Sequence, residues 1–209
     1  HCSKYTMEIK SYSQAKQDLF VLKALKYKRE GTFLEIGANH PIEISNTYLL
    51  ETRYGWKGLM IEQNPRFVQL YESERPNSEY IIDNAVTIDY NRALENYPRD
   101  MDYLQIDLEV DNMSTLNTLL NLNDSALKTH RFAVITFEHD RYRGDFFRTR
   151  DLSRIILQDL GYVLLFPDVL FFEDWYIHPD LVDPRIISNK AITFMHESAA
   201  LKYLDAILK

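Results

Sequence analysis

Successive apolar runs in this chain close on acids: Phe33-Leu34-Glu35, Met60-Ile61-Glu62, Ile81-Ile82-Asp83 and Gln105-Ile106-Asp107, with a further run ending Phe137-Glu138-His139-Asp140. One carboxylate at such a place commonly caps a helix. Repeated along an open parallel sheet, acids of this kind meet at the carboxyl edge, where ligands bind. The first run continues Gly37-Ala38-Asn39-His40-Pro41. A dinucleotide needs G-x-G-x-x-G there, so that backbone can approach the pyrophosphate and a helix N-terminus can face it. Only Gly37 is present, and Pro41 lacks an N–H that could bond phosphate. A sulfonium cofactor has no pyrophosphate and is positively charged, which suits Glu35. The turn therefore points to S-adenosylmethionine. Glu62 stands where an acid can accept ribose hydroxyls, and Asp83-Asn84 where the adenine amino group can be read.

Such acids need strands and crossover helices to bring them together. Apolar runs alternate with amphipathic stretches, and glycine or proline punctuates the joins, the pattern of a doubly wound, mostly parallel α/β sheet. Strands are expected at 33–37, 58–62, 80–83, 103–107, 132–138, 162–166 and 191–195. Helix-like spacing occupies 14–27, 45–54, 65–74, 113–120, 149–160 and a C-terminal 197–208. Asn64-Pro65 reads as an N-cap with a first-turn proline, and Gly161 as a C-cap.

With 209 residues, 45% hydrophobic and 13% aromatic, the chain suits one domain over 1–209. The lone Cys2 excludes an internal disulfide framework and a cysteine-based zinc site, and it fits the reducing cytoplasm. Acids outnumber bases 31 to 24 for a net charge of -7, which argues against a nucleic-acid partner. No run approaches the ~20 apolar residues of a membrane span. The chain begins at His1 rather than Met, as expected of a processed protein or a domain of a longer one.

Ser13-Gln14 with Asp18, the run Gly31 to Ala38, Ser45-Asn46-Thr47, Gly55-Trp56-Lys57-Gly58, Ile61-Glu62, Ile106-Asp107-Leu108-Glu109, Gly161-Tyr162 and Glu173-Asp174-Trp175 together resemble an FkbM-type methyltransferase, in order and over most of the chain. Pro41, and Val110 after Glu109, depart from the family pattern, where glycine is common. The resemblance implies a class I, Rossmann-like fold of seven strands with the last antiparallel, a late loop around Glu173-Asp174-Trp175, and O-methylation of a sugar or other small hydroxylated acceptor. Carried onto this chain, it gives cofactor contacts from Gln14, Asp18, Glu35, Gly37, Ala38, Asn39, Asn46, Glu62, Gln63, Asp83, Asn84 and Asp107.

Methyl transfer needs an aligned hydroxyl and a group to take its proton. Asp107, Glu109 and His139 are the catalytic candidates. Metal-dependent O-methyltransferases place one ligand after the fourth strand and two after the fifth. By that similarity Asp107, Glu138 and His139 could hold Mg²⁺. The alternative makes His139 a general base oriented by Glu109 or Asp107, without metal. His40 could contact the methionine moiety or simply sit at the surface, whereas His130 and His196 read as structural. Trp175, Tyr176 and His178, in a stretch marked by Pro167, Pro179 and Pro184, read either as an aromatic platform for a sugar ring or as core closure. Arg141-Tyr142-Arg143 reads as pairing with nearby carboxylates or as an anion site. Missing glycines disfavour an NAD-dependent oxidoreductase, and a non-catalytic small-molecule-binding module is the remaining alternative.

Overall fold

The computed structural model describes residues 8–140, 147–188 and 196–209. Its strands are β1 (Thr32–Ile36), β2 (Lys57–Glu62), β3 (Glu79–Ile82), β4 (Asp100–Ile106), β5 (Arg131–Glu138), β6 (Val163–Val169) and β7 (Glu173–Ile177). The α-helices are α1 (Gln17–Ala24), α2 (Tyr48–Tyr54), α3 (Val68–Glu74), α4 (Tyr90–Ala93), α5 (Ser114–Asp124), α6 (Phe147–Asp159), α7 (Arg185–Ser188) and α8 (Glu197–Ile207). The strands form one seven-stranded sheet in the order β3-β2-β1-β4-β5-β7-β6. Pairing is parallel from β3 to β5, and β7 runs antiparallel to both β5 and β6.

Successive residues of a strand face opposite sides, and this sheet separates two cores accordingly. Phe33, Met60, Tyr103, Val134 and Trp175 pack on one face with Phe20 of α1 and Leu204 of α8. Leu34, Ile61, Leu104, Ile135 and Tyr176 pack on the other with Leu119 of α5 and Leu157 of α6. The same alternation places Glu35, Glu62, Gln105, Asp107, Glu138 and Glu173 on the Phe33 side at the carboxyl edge of the parallel strands.

Several expected boundaries hold. Asn64 accepts the Arg66 N–H at 3.0 Å and opens a 3-10 turn before α3. Gly161, at φ +95°, closes α6, with its N–H and that of Tyr162 bonded to Gln158 O and Leu157 O at 3.0 Å each. The end of the sheet differs from expectation. Glu173-Asp174-Trp175, expected in a loop, is strand β7, and the strand expected at 191–195 lies outside the described residues. So does Arg141-Tyr142-Arg143. Pro167 is accommodated inside β6 because that strand is at the sheet edge and its register shifts there. No helix among the described residues is long and apolar enough to cross a membrane.

Candidate functional site

A cavity of about 550 Å³ opens at the carboxyl edge of β1 to β4. Its floor is the turn after β1. Gly37 sits at φ +82°, and a Cβ there would lie 1.9 Å from the main-chain oxygen of Asp107. The N–H groups of Gly37 and Ala38 both reach Ile61 O, at 2.9 and 3.0 Å, while Asp107 N–H donates to Ile36 O at 3.1 Å. Three strand ends are thus tied together around one glycine.

Glu62 continues the wall from the end of β2. One of its oxygens accepts the Asn39 N–H at 2.9 Å, and the other accepts those of Gln63 and Asn64 at 2.8 Å each. A carboxylate has about four lone-pair sites. Three are engaged by backbone, so roughly one is left for a ligand hydroxyl. Tyr71 pins the same turn by donating to Asn39 O. At the end of β3, Asp83 accepts the Asn84 N–H at 2.7 Å and Asn84 accepts that of Val86 at 3.0 Å, which holds both side chains along the rim.

Arg75 organises the opposite wall, and nothing in the sequence singles it out. It follows α3, is 1% exposed, and ties the 41–47 loop to α2. Its guanidinium donates to Glu51 at 2.9 Å, Pro41 O at 3.1 Å and Thr47 Oγ1 at 2.6 Å. Thr47 in turn donates to Glu35 at 3.0 Å, and the Asn46 N–H also bonds Glu35. Burial pushes the Glu35 carboxyl up to about 7, against the opposing pull of Arg75 and these two donors. A carboxyl raised in the folded state contributes stability that is complete below its unfolded value, near 4.5, and is lost as pH rises through about 7. Glu35→Gln is therefore expected to flatten the fall in stability between pH 5 and 8, with an effect on the order of 1–3 kcal/mol at the upper end. Urea unfolding of both proteins across that range measures it, and parallel pH profiles would reject the assignment.

Asp107 and Glu109 line the cavity beyond β4, with Leu108 between them. Burial raises the Asp107 carboxyl, partly offset by a hydrogen bond with Glu138 on the neighbouring strand. His139 goes elsewhere. Glu138 shares its sheet face with Asp107, so the next residue points to the far side. There the His139 imidazole Nε2 lies 3.2 Å from both Asp168 and Asp174, fully buried. Among the described residues, only His139, Asp168 and Asp174 bring three metal-type ligand atoms within 4.8 Å of one another. Two guanidinium groups already neutralise those acids: Arg150 bonds Asp168 at 2.9 Å, and Arg154 bonds Asp168 at 3.0 Å and Asp174 at 2.8 Å. The expected Mg²⁺ set of Asp107, Glu138 and His139 does not converge, because β-alternation divides it between two faces. The same geometry removes His139 from the cavity as a base, and the acids that orient it are Asp168 and Asp174 rather than Asp107 or Glu109.

Of the expected cofactor residues, Gln14, Glu35, Gly37, Ala38, Asn39, Asn46, Glu62, Gln63, Asp83, Asn84 and Asp107 all line the cavity. Asp18 does not. It is fully buried and accepts from Ser11 Oγ, Tyr12 N–H and Leu19 N–H, bracing the start of α1. The aromatic platform is also absent from the cavity. Trp175 and Tyr176 are buried on opposite faces of β7, and His178 packs edge-on against Tyr162 with ring centroids 5.1 Å apart.

Gln105 and Ile44 are among the lining residues that the sequence did not single out. Gln105 Oε1 and Asn46 Oδ1 are buried acceptors with no hydrogen-bond partner among the described residues, and both belong to the cavity wall. Buried acceptors are normally satisfied, but these two oxygens are enclosed within the wall rather than open to the cavity. Ile44 is 66% exposed on the rim at φ +57°, a backbone conformation unusual for a β-branched residue. An alternating strand pattern marks Gln105 only as a polar residue in a buried run, which is a weak but usable signal.

No family model matches the chain, and no curated protein matches it in sequence. Solved structures do match in fold. An O-methyltransferase from Bacillus cereus in complex with SAH superposes with a TM-score of 0.51 at 15% identity, covering 80% of this chain and 81% of that one. A TehB-like SAM-dependent methyltransferase from Corynebacterium glutamicum gives 0.50 at 15% identity over 78% and 87% of the two chains. A putative rRNA-methylase from Clostridium thermocellum gives 0.51 at 12% identity over 81% and 99%. The fold is the Rossmann-like fold of class I methyltransferases.

Proposed function

We propose, on a class I methyltransferase fold, that this protein transfers a methyl group from S-adenosylmethionine to a hydroxyl of a small acceptor, with a sugar or glycan terminus as the leading candidate. The observation that carries the reading is the meeting of Glu35, Glu62, Asp83 and Asp107 at one cavity whose floor is the Gly37 turn. Acids at the ends of β1, β2 and β3 suit a nucleoside bearing a cationic amino-acid arm, and the single glycine leaves no cradle for a pyrophosphate. The saccharide acceptor and the FkbM subtype rest on the resemblance of motifs, because the Trp175-Tyr176 pair is occupied in the core.

The bound cofactor supplies an electrophilic methyl on sulfur. This chain's residues would do the rest. Glu62 would hold a ribose hydroxyl with its remaining acceptor site, and Asp83 with Asn84 would flank the base. Asp107 and Glu109, at the open end of β4, would orient the acceptor hydroxyl and take its proton. No divalent ion is needed in this scheme, and none is routed through Asp107, Glu138 and His139, whose side chains part to opposite faces of the sheet.

Calorimetry with the purified chain tests the cofactor assignment: S-adenosylhomocysteine is expected to bind and NAD is not. Equal affinity for the two would sink it. Glu62→Gln, which keeps the shape but turns one acceptor into a donor, is expected to weaken S-adenosylhomocysteine by roughly 1–3 kcal/mol. Unchanged affinity in a folded variant would remove Glu62 from the site. Transfer itself is read by incubating a glycan panel with labelled cofactor and looking for a methyl mass increment.

A further inference from the structure

We infer that Ile44 is a positioning residue whose side chain, held out on the cavity rim, covers the aliphatic amino-acid arm of the cofactor; the inference rests on the methyltransferase reading above. A single exposed isoleucine is ordinary on a protein surface. This one is held there against its own backbone preference. The Ser45 N–H donates to Ile42 O at 3.3 Å and closes a turn in which Ile44, at the third position, has φ +57°. Glycine or asparagine fills such a position at low cost, and a β-branched residue does not. Among the described residues with positive φ other than glycine, Ile44 alone is β-branched. Among the described residues it is also the most exposed large apolar side chain, at 66%, and the one of that exposed group that lines the cavity.

The strain persists because the turn is braced from both sides. Before it, His40 Nδ1 accepts the N–H groups of Ile42 and Glu43 at 3.1 and 2.9 Å, and Arg75 donates to Pro41 O at 3.1 Å. After it, Ser45 Oγ accepts the N–H groups of Thr47 and Tyr48 at 3.3 and 3.1 Å, and Ser13 Oγ donates to Ser45 O at 3.4 Å. These bonds fix the backbone with no call on an isoleucine side chain. Just beyond the turn, the Asn46 N–H and Thr47 Oγ1 both bond Glu35, so Ile44 stands at the β1 end of the cavity, where Glu35 receives the cationic arm. Glu62 and Asp83, which serve the nucleoside, follow β2 and β3 farther along the sheet. The arm is a pair of methylenes beside sulfur. An isoleucine laid over it takes apolar surface of both out of water and needs no hydrogen bond.

Ile44→Gly and Ile44→Asn each suit the turn and remove the apolar cover. Both variants and the parent are compared by urea unfolding and by calorimetric titration with S-adenosylhomocysteine. Adenosine, which has the nucleoside without the arm, is followed by competition against S-adenosylhomocysteine. Both variants are expected to unfold at a urea concentration equal to or above that of the parent, because the backbone strain is relieved. S-adenosylhomocysteine should bind them roughly fivefold or more weakly, while adenosine stays within about twofold of the parent. Unchanged S-adenosylhomocysteine affinity in both variants, an equal loss for adenosine, or a fall in stability in both would overturn the inference while the methyltransferase reading stood. In the last case the side chain would be serving the fold. Failure of S-adenosylhomocysteine to bind the parent would instead remove the premise, and both would fall together.

Discussion

Gly37→Ala is expected to abolish measurable S-adenosylhomocysteine binding, or to weaken it at least a hundredfold, while the chain still folds. Two costs coincide at that position. A residue with a Cβ pays about 1–2 kcal/mol at the left-handed backbone angles that Gly37 adopts. The new methyl would also fall 1.9 Å from Asp107 O, a main-chain atom that cannot swing aside. Either the turn or the end of β4 must move. Both bear cavity residues: Ala38 and Asn39 follow the glycine, and Asp107 carries the carboxylate at the open end. Calorimetric titration of the variant, with circular dichroism to show that it is folded, measures the effect. Affinity within threefold of the parent would mean that the cofactor does not lie over this turn.

The largest loss of stability is expected from Arg75→Met, at about 3–5 kcal/mol. Arg75 and Glu51 form an ion pair whose side chains are 0% and 2% exposed. Removing the cation leaves Glu51 buried with the N–H of Asn77 at 3.3 Å and the Ser78 hydroxyl as its remaining donors. It also frees Pro41 O and Thr47 Oγ1, which hold the loop over the cavity. The Glu35 carboxyl should rise further, because the nearest cation that lowers it is gone. A second variant separates the pair from its surroundings. Arg75→Met combined with Glu51→Met replaces both charges by apolar side chains, and it should recover a substantial part of the loss. Denaturant unfolding of the two variants gives the comparison. A single variant within 1 kcal/mol of the parent would show that the pair is solvated after all.

The parallel half of the sheet could be read from residue types because its physics is local. Strands β1 to β5 are short, largely apolar runs closed by a glycine or by polar residues, so their limits were legible to within a few residues. The meeting of Glu35, Glu62, Asp83 and Asp107 followed from the same pattern, since successive parallel strands must end at one edge. The final hairpin was harder because its stabilising partners are remote. Glu173-Asp174 looks like solvated loop sequence, yet Glu173 is satisfied by Gln17 at 3.0 Å and by the Trp175 indole, and Asp174 by Arg154 at 2.8 Å.

His139 is the sharpest case of that difference. Beside Glu138 in the chain it looks like its neighbour's partner, but adjacent residues at a strand end face opposite ways. Which acids it would meet depended on where β6 and β7 were laid down. Arg75 follows the same logic from the other side. A lone arginine between a helix and Pro76 reads as surface, and its burial arises because the 41–47 loop and α2 close over it from more than twenty residues away. Residue order could thus supply the strands, their direction and the edge where acids gather, which depend on hydrophobic period and turn chemistry. Which acids share a face, which are neutralised by a distant guanidinium and which are left open to a ligand came from packing, because charge pairing is decided by proximity in space.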